Sequence, residues 1–303
     1  EIKDEKELKI IYDSVNDVIT ALKFVKTRDM ECRNKFTEYL YQKLKKEDNA
    51  TIEKHFACDT NNVVTKWERA LYLQGVVFTT GAVQISEALA HLCVTLAQHS
   101  YGNNKCNLDA FISEMFRVFP LFGVAHRITS KDILAPDSEQ ILFPKGTVLC
   151  FNYPEYHRRG YRKPNTFNFE RWHNISKKTA NFIPFGAKNN RPCPAQHISM
   201  VWMKKCAQMM VDKVSFHTSI LHTRSMPTGG LCLIVPKSYV LNGAYYKFIM
   251  TSFYLHEQFM NVTRSVIQLI CGAYMLKDAK KKALAKTWVE ENERKKLKKM
   301  MMN

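Results

Sequence analysis

The chain has no uninterrupted run of 18 apolar residues and no secretory signal at its start, so the sequence offers no segment that reads as a spanning helix or a leader. It has no C-x-x-C pair. Its nine cysteines, at 32, 58, 93, 106, 150, 193, 206, 232 and 271, are odd in number and irregular in spacing. That pattern argues against a zinc site or a disulfide framework. It argues for reduced thiols and an intracellular setting, cytosolic or on a cytosol-facing membrane. No internal repeat is present. The first residue is Glu1 rather than Met, which reads as a start that is missing or processed. Acidic residues are also scarce: 28 Asp and Glu face 45 Lys and Arg, a formal net charge of +17. Residues 1–54 are balanced at 12 of each sign, so the excess lies further on, in 117–191 and in the lysine-rich end 277–299. Such a field favours an anionic partner, whether a protein, a carboxylate-bearing cofactor, a membrane surface or a nucleic acid. No aromatic interleaving accompanies the basic runs, so a specific nucleic-acid site is not indicated.

What is there is mostly helical. Ile10, Ile11, Val15, Val18, Ile19 and Leu22 recur at helical spacing within the charged segment 1–47, and 47–62 reads as a loop. A long helical pattern covers 63–99, interrupted by Gly75 and Gly81, and after the polar linker 100–107 another helix stops at Pro120. Ile141-Leu142-Phe143, Pro144-Lys145-Gly146 and Thr147-Val148-Leu149-Cys150-Phe151 read as strand, turn, strand. Residues 152–192 are loop-rich. Residues 194–212 read as a helix with Ile198, Val201, Trp202, Cys206, Met209 and Met210 on one stripe. Strands follow around Pro227-Thr228-Gly229-Gly230, and 244–299 return to helix. The expected organisation is a charged helical segment 1–62, a core 63–236 and a basic helical extension 237–303.

Three motifs bear on chemistry. Glu114 and Arg117 lie three apart on one helix face. They read either as a surface ion pair of little worth or, with Arg171 of Phe169-Glu170-Arg171, as a buried carboxylate shared by two arginines. Cys193 stands between Pro192 and Pro194, just before a helix. The bland reading is a small buried hydrophobe. The alternative is a thiolate favoured by the helix N-terminus and by Arg191.

Taken in order, Glu114-x-x-Arg117, Phe169-Glu170-Arg171 and Phe185-Gly186…Arg191-x-Cys193-x-Ala195 resemble the C-terminal half of a cytochrome P450 over residues 63–236. The resemblance implies a mainly α fold with small β-sheets, incomplete at its N-terminus, and a haem b whose iron takes Cys193 as axial thiolate. It implies that Glu114, Arg117 and Arg171 fix the haem-side scaffold, and that Arg127, Arg191 and Phe185 line the cofactor, the arginines facing its propionates. It implies a monooxygenase-type oxidoreductase acting on a small, largely apolar substrate. Electrons would come from a separate reductase or ferredoxin, since no flavin or nicotinamide fingerprint occurs, and the exposed basic run at 157–163 would suit an acidic donor. Membrane association is compatible with it.

The chain departs from the family pattern in three places. The cysteine loop holds one extra residue, with Asn189 where glycine is common. Aligning Thr80-Gly81 with the family's small-residue pair makes Thr80, Gly81 and Gln84 the candidates on the oxygen side and leaves Val83 and Gln84 where an acid and a threonine are usual. The linker to Glu114 is short. These departures favour, as alternatives, a haem-thiolate enzyme using peroxide or hydroperoxide or acting as an isomerase, or a degenerate haem-binding or interaction protein.

Overall fold

The computed structural model describes residues 4–46, 65–99, 107–135, 138–187, 192–222 and 230–282. The expected loop at 47–62 and most of the turn at 227–230 lie outside them. By its internal contacts the chain forms two compact units. One comprises Glu1–Val83 with Gln258–Asn303, and the other comprises Gln84–Glu257. Among the described residues the architecture is mainly helical with three two-stranded antiparallel ribbons.

In the first unit, α1 (Glu5–Leu22) starts at Asp4, whose side chain accepts from the Lys6 N–H and so satisfies one orphan donor of the first turn. α2 spans Met30–Lys46 and α3 spans Lys66–Tyr72. α3 opens with a capping box between Thr65 and Glu68. Phe36, Leu40 and Ala70 make the buried cluster, with Ile10, Ile11, Leu73 and Phe78 against it. Asp17 is buried at the α1–α2 corner and accepts from Arg28 Nε at 2.7 Å and the Asp29 N–H at 3.0 Å, with Lys26 Nζ at 3.0 Å. These three donors outweigh the opposing effect of burial and hold its carboxyl below the ordinary value.

Gly75 and Gly81 do not interrupt the long helix. Instead Leu73–Ala82 winds as a π-helix before α4 (Val83–Gln98) resumes α geometry. The backbone widens rather than breaks, so its hydrogen bonds continue. The run Lys66–Gln98 is long and apolar enough to cross a membrane, by length and composition only, with 22% of its most apolar window buried. Scattered Gly, Thr and Gln break the apolar run without adding charge, which is why no such segment is visible from uninterrupted apolar residues.

The second unit is built on α5 (Leu108–Val118). Asn107 caps it by accepting from the Asp109 N–H, and Asp109 and Arg117 suit the two ends of the helix dipole. α5 buries Phe111, Ile112, Met115 and Phe116 against Ala88 and Leu92 of α4 and against Met203 and Ala207 of α8 (Gln196–Lys213). On α8 only part of the expected stripe faces the core: Met210 packs against it and Cys206 is half-buried. Ile198, Val201, Trp202 and Met209 are exposed, while Met203 and Ala207 are buried, with Met200 and Met210 beside them. The helix carries two apolar stripes, and periodicity alone does not choose between them.

The strand–turn–strand expectation also changes. β1 (Val124–Ile128) pairs with β4 (Val148–Asn152), and β2 (Ile133–Ala135) pairs with β3 (Ser138–Phe143). β3 and β4 therefore find partners upstream, in strands the sequence reading left unassigned. The Gly146 turn bonds instead to Thr129, whose carbonyl accepts from the Gly146 N–H at 2.9 Å. Two short helices follow, α6 (Tyr153–Tyr156) and α7 (Arg171–Asn174). β5 (Val214–His217) pairs with β6 (Leu233–Pro236), and α9 (Gly243–Lys282) runs for 40 residues.

Candidate functional site

Glu114, Arg117 and Arg171 are brought together. Glu114 and Arg117 are fully buried on the inner face of α5. Arg117 donates twice to the carboxylate, from Nε to Oε2 and from Nη2 to Oε1, both at 2.8 Å. Arg171 Nε donates to Oε1 at 3.0 Å. Sequence reasoning missed two further donors: the Asn168 N–H to Oε1 at 2.9 Å and Trp172 Nε1 to Oε2 at 3.0 Å. Five hydrogen bonds thus satisfy one buried anion, the condition under which a buried charge is tolerated. Trp172 follows Arg171 directly in the F-x-F-E-R-W stretch, and an indole N–H beside an arginine motif was the available signal.

The two guanidiniums spend their remaining donors on loop carbonyls. Arg117 Nη1 reaches Pro164 O at 2.8 Å and His157 O at 3.3 Å. Arg171 Nη1 and Nη2 reach Arg162 O and Thr166 O, both at 3.1 Å. The ring of Tyr161 lies under both cations, 4.9 Å from Arg117 and 5.7 Å from Arg171. Burial pushes the Tyr161 phenol up to about 12. One carboxylate therefore fixes a helix, a loop of ten residues and a short second helix.

His157 differs from its expected place in a solvated basic run. It is fully buried, whereas Arg158, Arg159, Arg162 and Lys163 are exposed. Its Nε2 accepts from the Ile183 N–H at 3.0 Å. Burial depresses its pKa to about 4, overcoming an opposing pull from the Phe116 backbone, and the Arg117 charge adds a smaller depression. The neutral ring thus ties the carbonyl-pinned loop to the segment that leads into the cysteine turn.

That turn begins at Phe185, whose ring packs 5.7 Å from Phe116 in an edge-on contact. Gly186 has φ +86°, a left-handed conformation that a side chain would strain. The backbone comes back so that the Cys193 N–H donates to Phe185 O at 2.8 Å. Cys193 is half-buried and carries a free thiol. Pro194 and Ala195 form a turn and α8 begins at Gln196, two residues later than the sequence suggests. Arg191 and Asn189 lie outside the described residues.

The remaining candidates lie on other elements. Arg127 is exposed on β1, where its Nη1 donates to His126 O at 2.8 Å. Thr80 Oγ1 donates to Gly75 O at 3.1 Å, five residues back along the π-helix. Thr80 and Gly81 belong to the first unit, while Gln84, half-buried, and Cys193 belong to the second.

The donor set around Cys193 can be tested against a haem. Among the described residues no group of three or more His, Cys, Asp or Glu could hold a metal ion. A lone thiol at the mouth of a tight turn does not suit a tetrahedral protein-ligated ion. It does suit one axial bond to an iron whose other ligands belong to a macrocycle.

Comparison with known proteins points the same way. The cytochrome P450 family model matches residues 107–242. Cytochrome P450 3A6 of Oryctolagus cuniculus is 21% identical over 236 residues, covering 69% of this chain and 44% of its own length. A retinoic-acid-bound cyanobacterial cytochrome P450, CYP120A1, superposes with a TM-score of 0.57 at 18% identity, over 72% of this chain and 58% of that one. Cytochrome P450EX alpha with myristic acid gives a TM-score of 0.60 at 14% identity, over 78% and 64%. The chain thus spans less than two thirds of the length of each.

Proposed function

We propose, from the chain's membership of the cytochrome P450 family as carried by residues 107–242, that it is a haem-thiolate oxidoreductase of monooxygenase type with Cys193 as the axial ligand. The observation that carries this reading is that the Cys193 N–H bonds to Phe185 O, next to Gly186 in its left-handed conformation, leaving the thiol free just ahead of α8. When bound, haem supplies the oxidation chemistry, and a thiolate ligand donates electron density that favours O–O cleavage.

The chain's own residues set the stage for that chemistry. Cys193 supplies the single donor. Phe185, its ring packed on Phe116, anchors the backbone carbonyl that accepts from the Cys193 N–H. Arg127 and Arg191 bring positive charge suited to carboxylate side groups. The Glu114 network does not touch the reacting atoms. It positions them, because Arg117 pins the loop at His157 and His157 holds Ile183, two residues before Phe185. Gln84 can hydrogen-bond water but is a poor acid. The substrate is a small, largely apolar organic molecule, a class supported by the retinoic and myristic acids in the two solved structures. Electrons come from a separate donor protein, for which the exposed Arg158, Arg159, Arg162 and Lys163 offer a positive surface.

The absence of any acid in the first turn of α4 favours a second reading, in which peroxide or a hydroperoxide is the oxidant.

The test is spectroscopic. Reduced protein loaded with haem and exposed to carbon monoxide is expected to show the red-shifted Soret band of thiolate ligation. Cys193→Ala is expected to abolish the band and Cys206→Ala to retain it. Persistence of the band in Cys193→Ala would falsify the ligand assignment.

A further inference from the structure

α9 has two faces of different character. One face packs inward: Glu257 and Arg264 are buried, Gln268 Nε2 donates to Lys23 O at 2.9 Å, and Cys271 Sγ lies 3.6 Å from Val25 O. The other face is apolar and exposed. Phe248, Leu255, Phe259, Val262, Val266, Leu269, Ile270 and Tyr274 lie on it, with Phe259 at 70% and Leu269 at 74% exposure. At about 100° per residue, the positions from Leu269 round to Tyr274 sweep roughly 140° of the circumference. None of these residues falls within the span matched by the family model.

Three observations identify what covers this face. Its width exceeds the narrow seam that a single partner helix fills, but it matches a helix lying in the plane of a lipid interface. Its charge comes next. Between Tyr245 and Leu276 the helix has one acidic residue, Glu257, and that one is buried, so nothing on the exposed face repels an anionic surface. The apolar face then runs directly into exposed Lys277, Lys280, Lys281 and Lys282, with one acid, Asp278, paired to Lys282. Lysines at the end of an apolar helix face are the arrangement that anionic headgroups attract. A second copy is the poorer occupant, since a chain of +17 repels its own kind.

We infer that α9 docks the protein on an anionic lipid surface, with Phe259, Val262, Val266 and Leu269 seated among the acyl chains and Lys277, Lys280 and Lys281, which continue the same face, on the headgroups. The helix lies on the bilayer and does not span it. Lys247, His256, Glu257 and Arg264 interrupt its apolar character, and it is not among the described helices apolar enough to cross.

The experiment is flotation of the full chain with vesicles of phosphatidylcholine, with and without phosphatidylserine. Binding is expected to be strong only when phosphatidylserine is present and to weaken with salt. Replacing Lys277, Lys280 and Lys281 by Gln is expected to lower partitioning about a hundredfold, at about fivefold per lysine. Leu269→Glu and Phe259→Glu, at exposed positions and checked for an unchanged thermal transition, are expected to lower it roughly ten- to a hundredfold each. Three results overturn the inference. One is failure of the wild type to float with the anionic vesicles. Another is flotation unaffected by both glutamate variants, which would leave charge alone as the cause. The third is a dimer in sedimentation equilibrium that Leu269→Glu dissociates without any vesicle binding, which would make the occupant a second copy.

Discussion

Glu114 ties much of the second unit together, because five donors from α5, α7 and the loop between them converge on it. Removing one partner of a buried pair leaves an uncompensated charge, at a cost of about 3–5 kcal/mol. Glu114→Ala is expected to lose that much stability in urea unfolding and to loosen retention of added haem. A loss under about 1 kcal/mol would be the signature of a surface pair. His157 adds a pH dependence. Its folded pKa of about 4 lies below the ordinary histidine value of 6.5, so the unfolded chain binds the extra proton across that interval. Stability from this group is complete above pH 6.5 and is lost progressively as pH falls toward 4, by about 3 kcal/mol in all. His222, depressed by burial to about 3, steepens the same slope. His157→Gln, which keeps an acceptor for the Ile183 N–H, is expected to flatten part of the pH profile of the unfolding midpoint. An unchanged profile would show that His157 is not the titrating group.

At the scale of elements, the π-helical stretch and the cysteine turn solve backbone problems in different ways. Leu73–Ala82 holds two glycines, and a Cβ built on either meets nothing within 4 Å. Glycine is therefore an entropic cost there rather than a steric need. Gly81→Ala is expected to raise the thermal midpoint of the first unit, corresponding to roughly 0.5–1 kcal/mol. A drop would mean that the wide helix requires glycine at that point. Gly186 is the contrast. Its φ of +86° makes it a steric requirement, beside the residue whose carbonyl accepts from the Cys193 N–H.

At the scale of the whole molecule, the proposed placing of Val83 and Gln84 on the oxygen side separates the two readings of the activity. Proton delivery by a positioned acid is worth roughly 10²–10⁴-fold. Val83 cannot provide it, and Gln84 is a poor acid. The expected outcome is weak, uncoupled turnover with a reductase and oxygen, and comparatively efficient turnover with peroxide, in which the O–O bond is already formed. Product per electron consumed, set against product with added peroxide, measures the difference. Tightly coupled reductase-driven turnover that survives Gln84→Ala would rule this out and assign the proton to water or another side chain.

The sequence by itself determined the helix-rich class, the two halves of the Glu114–Arg117 pair and the placing of Cys193 before a helix. Each is a local matter of spacing: i,i+3 on one turn, or a proline-flanked cysteine ahead of a helical pattern. The tertiary structure decided everything that depends on distant segments meeting. It added Trp172 and the Asn168 N–H to Glu114, buried His157 where its neighbours in sequence are solvated, and gave β3 and β4 upstream partners. On α8 it chose Met203 and Ala207 over the alternative stripe, because which apolar face a helix buries is set by what packs against it. On α9 it buried the face carrying Glu257 and Arg264 and left the more apolar one in solvent. Periodicity places residues on a common face, but only the packed neighbours determine which face turns inward.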